Sequence, residues 1–313
     1  MSKPVIAIDM GGTKIKIGIV HQDTILASAS IDSYSGEGLR PRLPLIKEIV
    51  DKLLERAEIP ITSVSGLGIS SPGIVDNHSK RILSVDKKFG DTPDINLEEW
   101  CLLTFGIPFF IENDARSALL GEWKYGNAKD TDNVILMTLG TGIGSAAVTE
   151  GRLLRGKHFT AGIMGGHFVI NYKGSLCNCG NKGCVETEAS TWNITNIAKS
   201  EKSFTKSRLA DFPVIDYELI FRLAGEGDAM AIHLRDQSLQ AWSASAINLI
   251  HAYDPEILVL TGGIMASSAN IIPYIRKQVE THAWTPWGKV DIREGKFPAT
   301  AALLGIAHVV NNG

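Results

Sequence analysis

The sequence predicts an α/β protein in two parts, and three observations carry that expectation. Apolar strand-like runs alternate with helical segments along the chain. A unit of strand, glycine turn and strand occurs twice, over residues 5–20 and 134–148. A third apolar strand ends in Gly262-Gly263. With 313 residues, 44% hydrophobic and 21% charged, the chain is long enough for two cores and is neither disordered nor fibrous in composition.

The elements follow in order. VIAID, Val5 to Asp9, reads as a buried strand, and Met10-Gly11-Gly12-Thr13 turns it into KIKIGIV, whose apolar residues alternate. Leu43 to Arg56 carries helical periodicity. GLGISSPGIVD, Gly66 to Asp76, holds a Ser-Ser-Pro-Gly turn and by itself reads as a loop. Pro108 to Glu112 is a strand that gives way at Asn113-Asp114 to a helix from Ala115 to Trp123. VILMTLGTGIGSAAV, Val134 to Val148, repeats the strand, turn, strand plan around Gly140-Thr141-Gly142. A long helix from about Asp228 to Ala252 is closed by Asp254-Pro255. The strand Ile257 to Ile264 is followed by helical sequence from about Asn270.

A single glycine turn between strands is usually a tight hairpin, since glycine takes positive φ without strain. Three of them, each closing an apolar strand, suggest backbone N–H groups converging on phosphate oxygens. None has the spacing of a Walker A loop or of the dinucleotide fingerprint, which disfavours a P-loop NTPase and a Rossmann dehydrogenase. The twice-repeated unit fits a two-lobed ATPase with nucleotide in the cleft. Asp9 would then hold Mg2+ through water and Lys14 would neutralise phosphate charge. The plain alternative for Asp9 is a solvated strand end. Asn113 and Asp114 suit a helix N-cap. Beside a nucleotide, Asp114 becomes a candidate base for an attacking hydroxyl, and Asn113 a partner for polyol hydroxyls. The helix dipole is expected to lower the Asp114 pKa.

Cys177, Cys179 and Cys184 lie in LCNCGNKGCVETE, with His167 ten residues before the first of them. This C-x-C-x4-C spacing on a Gly/Asn turn suits a loop folding around one tetrahedral ion. Three thiolates and an imidazole leave no open position, so the expected zinc is structural. The alternative, buried or disulfide-forming cysteines, meets the strain of a bridge across C-x-C. Cys101, between Trp100 and Leu102, reads as a core residue.

A formal charge of −3 without a basic run gives no electrostatic footprint for nucleic acid. No apolar stretch reaches the roughly 20 residues of a membrane helix, and neither a signal peptide nor a lipidation motif is evident. A cytoplasmic protein is expected.

DMGGTK (9–14), SPGIVD (71–76), ENDA (112–115), LGTGIG (139–144), GGH (165–167) with CNCGNKGCVE (177–186), and LTGGI (260–264) together resemble the ROK family of sugar kinases, repressors and related proteins. The match runs the whole chain in the family's order, and the cysteine run is its most specific part. The resemblance implies the actin-like, ribonuclease H-like sugar-kinase fold. Residues 1–116 and 298–313 would form a small lobe with a returning C-terminal helix, and 117–297 a large lobe with the zinc loop. It implies ATP and Mg2+ at Asp9, Gly11, Gly12, Thr13, Lys14, Gly140, Thr141 and Gly142, with Gly262 and Gly263 near the adenosine. Asp114 would be the base. Asn113, His167, Glu186, Ser71 and Gly73 would line the sugar, with His167 also a zinc ligand beside Cys177, Cys179 and Cys184. Homodimerisation is common in the family.

Two departures stand out. The family usually shows G-E-x-G-H before the cysteines, whereas AGIMGGH places Met164 where the sugar-binding Glu belongs. In place of the usual Asn-Leu after the SPG turn the chain reads SVDKKFGDTPDIN, making Asp86, Lys87 or Lys88 candidates to reach the sugar. A first strand beginning by residue 4 is expected to leave no space for a DNA-binding domain. The resemblance therefore implies an ATP-dependent hexose or N-acyl hexosamine kinase; the alternative is a sugar sensor without efficient catalysis.

Overall fold

The first sheet grows from a three-strand antiparallel ribbon, Val5–Met10 (β1), Lys14–His21 (β2) and Thr24–Asp32 (β3), in a computed structural model that describes residues 3–313. Leu43–Arg56 (α1) buries Leu43, Ile46, Val50, Leu53 and Leu54, the three- and four-residue spacing of one helix face. The chain then returns as Leu67–Ser71 (β4), parallel to β1. A short hairpin of Ile74–Asp76 (β5) and Arg81–Ser84 (β6) follows, then Leu97–Phe105 (α2), Phe109–Asn113 (β7) and Asp114–Tyr125 (α3). The strand order is β3-β2-β1-β4-β7. β1 sits between two neighbours, so Val5, Ile6, Ala7 and Ile8 are all fully buried, which explains its unbroken apolar run. Each such side chain contributes about 1.5–3 kcal/mol for the larger residues over leaving it in water.

The second sheet repeats that plan. Val134–Leu139 (β8) and Ile143–Thr149 (β9) form a hairpin, Arg152–Leu153 (β10) adds to β9, and Ile257–Thr261 (β11) and Asp291–Glu294 (β12) lie parallel to β8. The order β10-β9-β8-β11-β12 is that of the first sheet. Between β10 and β11 come Val185–Ala189 (α4), Thr191–Ser200 (α5), Tyr217–Gly225 (α6) and Ala229–Tyr253 (α7), and Ser268–His282 (α8) precedes β12. Asp228 caps α7 by accepting N–H bonds from Met230 and Ala231. Trp242, in the middle of α7, is fully buried and donates its indole N–H to the Ala189 carbonyl at 2.8 Å, which fixes the end of α4.

The last helix, Ala301–Asn312 (α9), returns to the first sheet and packs on α3 and β4. Small residues make the approach possible: a Cβ on Gly121 would strike the Ala301 carbonyl, and one on Gly305 the Ser117 carbonyl. Gly68 of β4 lies under the same helix, with Ile306 and Val310 filling the space of a side chain. This corrects the loop expected over Gly66 to Asp76. Its small residues carry little strand propensity of their own, and the strand exists because β1, β7 and α9 enclose it.

One compact unit comprises the chain up to Asp130, Arg155–Ala161 and Ala299–Gly313, the other Thr131–Leu154 and Gly162–Pro298. A division after residue 116 would cut α3, a single helix packed along α9.

Candidate active site

Three adjacent parallel strands end together in the first unit. The register pairs Asp9 with Ser70, Ser70 with Glu112 and Ser71 with Asn113, so DMGGTK, SPGIVD and ENDA, distant in sequence, meet at one sheet edge. The carboxyl ends of parallel strands are where open α/β sheets bind ligands. Asp9 accepts from the Ser70 hydroxyl at 2.9 Å and has Lys16 Nζ at 3.9 Å. Asn113 caps α3 through an N–H from Arg116 at 3.2 Å, and its amide donates to the Gly73 carbonyl and Asp114 Oδ1, each at 3.0 Å. Ser71 is buried and donates to the Pro72 carbonyl at 3.1 Å.

Asp114 Oδ1 also accepts the Ala115 N–H at 2.8 Å; among the described residues Oδ2 has no hydrogen-bond partner. Burial, and then the neighbouring charge of Asp9, push its carboxyl up from 3.8 to about 6. The expected lowering by the helix dipole is thus overturned: desolvation and a like charge outweigh one helix end. Burial raises Asp9 as well, against the pull of Lys16 and Ser70. Lys14 goes elsewhere, pairing with Asp32 at 2.6 Å across the β2–β3 ribbon, and Thr13 is exposed.

In the second unit the Gly140-Thr141-Gly142 turn follows β8, and Gly262-Gly263 follows its parallel neighbour β11. Gly262 has φ 103° with the Leu139 backbone where a side chain would stand, so the strand crossing itself demands glycine there. A Cβ on Gly140 would have only the Gly142 carbonyl nearby, at 3.9 Å, and one on Gly263 nothing within 4 Å. These two positions are open where Gly262 is not. Glu186 reaches the same turn: its carboxylate accepts the Ile143 N–H at 2.9 Å and would stand 2.5 Å from a Cβ on Gly142. Thr191 and Trp192 N–H groups hold the Gly140 and Thr141 carbonyls.

His167, Cys177, Cys179 and Cys184 bring their ligand atoms within 4.8 Å of one another. Cys177 Sγ lies 3.6 Å from His167 Nδ1, and Cys179 Sγ 3.6 Å from Cys184 Sγ. Metal bonds of roughly 2.3 Å to sulfur and 2.0 Å to nitrogen give tetrahedral edges of about 3.8 and 3.6 Å. Burial and the adjoining thiols push Cys184 up to about 12; three thiolates so close need a cation among them. The donors therefore fit Zn2+, and all four cysteines of the chain are free of disulfides. Cys101 is the core residue expected, its thiol pushed up to about 12 by burial. From Cys184 the chain enters α4 directly, carrying Glu186 to the turn while Glu188 accepts the Ser175 N–H at 3.0 Å. Met164 is 38% exposed, on the 3-10 turn that ends at His167.

Sequence reasoning missed the buried network beneath Asp114. Glu112 and Arg116 are both fully buried, 3.6 Å apart, and Arg155 adds a contact of 2.8 Å to Glu112. Arg116 donates to the carbonyls of Arg155, Phe159 and Ala161. A signal existed: Glu112 interrupts an apolar strand, and Arg116 follows at i+4.

A family model described as ROK family matches residues 5–312. A glucokinase of Thermotoga maritima is 30% identical, covering 97% of this chain and 96% of that protein. A xylose repressor of Bacillus subtilis is 27% identical over 78% of this chain and 60% of its own length. Among solved structures, a ROK family glucokinase from Streptomyces griseus in complex with glucose and AMPPNP superposes with TM-score 0.83 at 25% identity, over 99% of this chain and 100% of that one. A ROK hexokinase from Thermus thermophilus gives TM-score 0.78 at 26% identity over 99% and 100%. Among the described residues no helix is long and apolar enough to cross a membrane. The α/β fold is that of the ROK sugar kinases, in the actin-like ATPase class, and the chain belongs to the ROK family.

Proposed function

We infer that this protein is an ATP-dependent sugar kinase whose acceptor is a hexose or N-acyl hexosamine. The observation that carries the reading is the pair Asp9 and Asp114, at the carboxyl ends of β1 and β7 on either side of β4, with Asp114 pushed up to about 6. A carboxylate near that value is ionised at neutral pH yet more basic than an ordinary one, which suits a general base. Likeness to the glucokinase of Thermotoga maritima and to the Streptomyces griseus complex supports both the sugar and the nucleotide.

In the proposed mechanism Oδ1 of Asp114 is occupied by Ala115 and Asn113, leaving Oδ2 to take the proton of the attacking hydroxyl. Asp9 would hold Mg2+ through water, as hard oxygen donors do, and the cation would supply charge neutralisation of the phosphates. Gly11 to Lys14, Gly140 to Gly142, and Gly262-Gly263 would line the nucleotide. Asn113, Ser71, Gly73, Glu186 and His167 would contact the sugar. With Nδ1 of His167 turned to Cys177, Nε2 is the nitrogen left to meet a hydroxyl. The zinc would not take part in the reaction; it would hold α4 and Glu186 in place. A cytoplasmic homodimer completes the proposal, suggested by the family resemblance and checked by light scattering and fractionation.

Mass detection of phosphorylated product, after incubating Mg-ATP with a panel of hexoses, hexosamines and N-acetylated hexosamines, tests the activity. Product from at least one sugar is expected. A second reading, a sugar-binding regulator without efficient turnover, is favoured by the xylose repressor likeness and by Met164. Sugar-dependent thermal stabilisation with no product from any sugar would select it.

A further inference from the structure

Lys88 stands in a setting that a surface lysine does not need. It is half-buried, and among the described residues it has no hydrogen-bond or ion-pair partner. Its side chain lies across the Gly11-Gly12 turn: a Cβ on Gly12 would be 2.8 Å from Lys88 Cε and 3.1 Å from Nζ. Its charge also acts on Asp114, opposing the upward shift of that carboxyl. A half-buried ammonium that touches no carboxylate, and feels Asp114 only through its charge, is better satisfied when an anion arrives.

The position is built. Lys87 and Phe89, on either side, hold φ of 56° and 51°, a conformation that non-glycine residues adopt only when their surroundings fix it. Phe89 is fully buried, and its N–H donates to the Ser35 carbonyl at 2.6 Å. The Ser35 hydroxyl in turn donates to the Gly12 carbonyl at 2.9 Å, beside Ser33 at 2.6 Å. One serine thus ties the lysine loop to the glycine turn.

We propose that Lys88 is a catalytic cation, meeting the transferring phosphoryl group above the Gly11-Gly12 turn rather than binding the sugar. This rests on the kinase reading. The sugar oxygen bonds to the γ-phosphorus as the bond to the β,γ-bridging oxygen breaks. ADP keeps that electron pair, the hydroxyl proton passes to Asp114, and Lys88 exchanges no proton. Its charge would offset the one spread over the equatorial oxygens.

The test compares wild type with Lys88→Met and Lys88→Arg, each first shown to keep the wild-type unfolding midpoint. Calorimetry with Mg-ADP and Mg-AMPPNP should find that Lys88→Met loses about tenfold in preference for the triphosphate while ADP affinity holds, as expected for one charge-assisted contact. kcat should fall about 100-fold with the sugar KM unchanged, the usual scale for one transition-state donor. Lys88→Arg should recover part of it. The acid limb of kcat/KM should move to higher pH in Lys88→Met, because Asp114 loses a stabilising charge. An unchanged triphosphate preference, or a rise in the sugar KM alone, would overturn the proposal. If wild type phosphorylates no sugar, the kinase reading fails, and the calorimetric comparison still decides whether Lys88 binds the terminal phosphate.

Discussion

At the carboxyl ends of β1, β4 and β7 the chain places Asp9, Ser70, Ser71, Asn113 and Asp114; at the ends of β8 and β11 it places only Gly140-Thr141-Gly142 and Gly262-Gly263. Strand order is the same in both sheets, so topology fixes where chemistry can be mounted and the residues decide which chemistry it is. The first unit mounts two carboxylates whose pKa values are both raised by burial, that of Asp114 also by the charge of Asp9. The second mounts unobstructed backbone and borrows its one carboxylate at that turn, Glu186, from a helix tethered by a Cys3His cluster. Rigidity differs in kind too. Under Asp114 it comes from the buried Glu112 and Arg116 with the half-buried Arg155; under Glu186 it would come from a metal.

That contrast can be broken at either side. Cys179→Ser should abolish stoichiometric zinc and, with Glu186 loosened, most activity; elemental analysis showing one zinc retained would refute the ligand set. Glu112→Gln should cost about 3–5 kcal/mol in urea unfolding, the range for leaving a buried charge, here Arg116, uncompensated, while zinc content stays intact. Hydrogen exchange would sharpen the pair, with lost protection around residues 167–192 in the cysteine variant and around 109–116 and 155–161 in the glutamine variant. The same spread of deprotection in both variants would argue against separate supports.

A smaller effect concerns pH. Because Asp114 is raised from 3.8 to about 6, activity and stability respond with opposite signs. kcat/KM should fall about tenfold per pH unit below about 6, as the base takes up its proton. The stability contribution of Asp114 is most favourable below 3.8 and is lost as pH rises through about 6. A kcat/KM profile flat down to pH 4 would show that another group is the base. Least of all, Asp228→Ala should cost about 1 kcal/mol through the lost cap of α7, measured as a shift in the urea midpoint with turnover unchanged.

The second unit was the more legible in sequence. Its apolar strands, glycine turns and cysteine spacing each carry a local signal, and α7 is announced by Asp228 at its start and Asp254-Pro255 at its end. The first unit hid more. β4 is made of Leu, Gly, Ile and Ser, and becomes a strand only by tertiary enclosure. β3 alternates small polar residues along the sheet edge. Asp114 was legible as a cap and a candidate base, but its raised pKa was not, because Asp9 arrives from a hundred residues away through strand register. Lys88 was legible only as one of three candidates, with Asp86 and Lys87, to reach the sugar; its place over Gly12 depends on Ser35 and on the burial of Phe89.

Single-turnover phosphorylation by the Asp114→Asn protein, on the sugar that wild type turns over best, tests the assignment of the first sheet most directly. Thermal stabilisation by sugar and by Mg-ATP should be unchanged, with the rate of transfer down about 10²–10⁴-fold, the usual worth of a positioned base. Transfer within about threefold of wild type would contradict that assignment and leave Asp114 as a first-turn carboxylate of α3 alone.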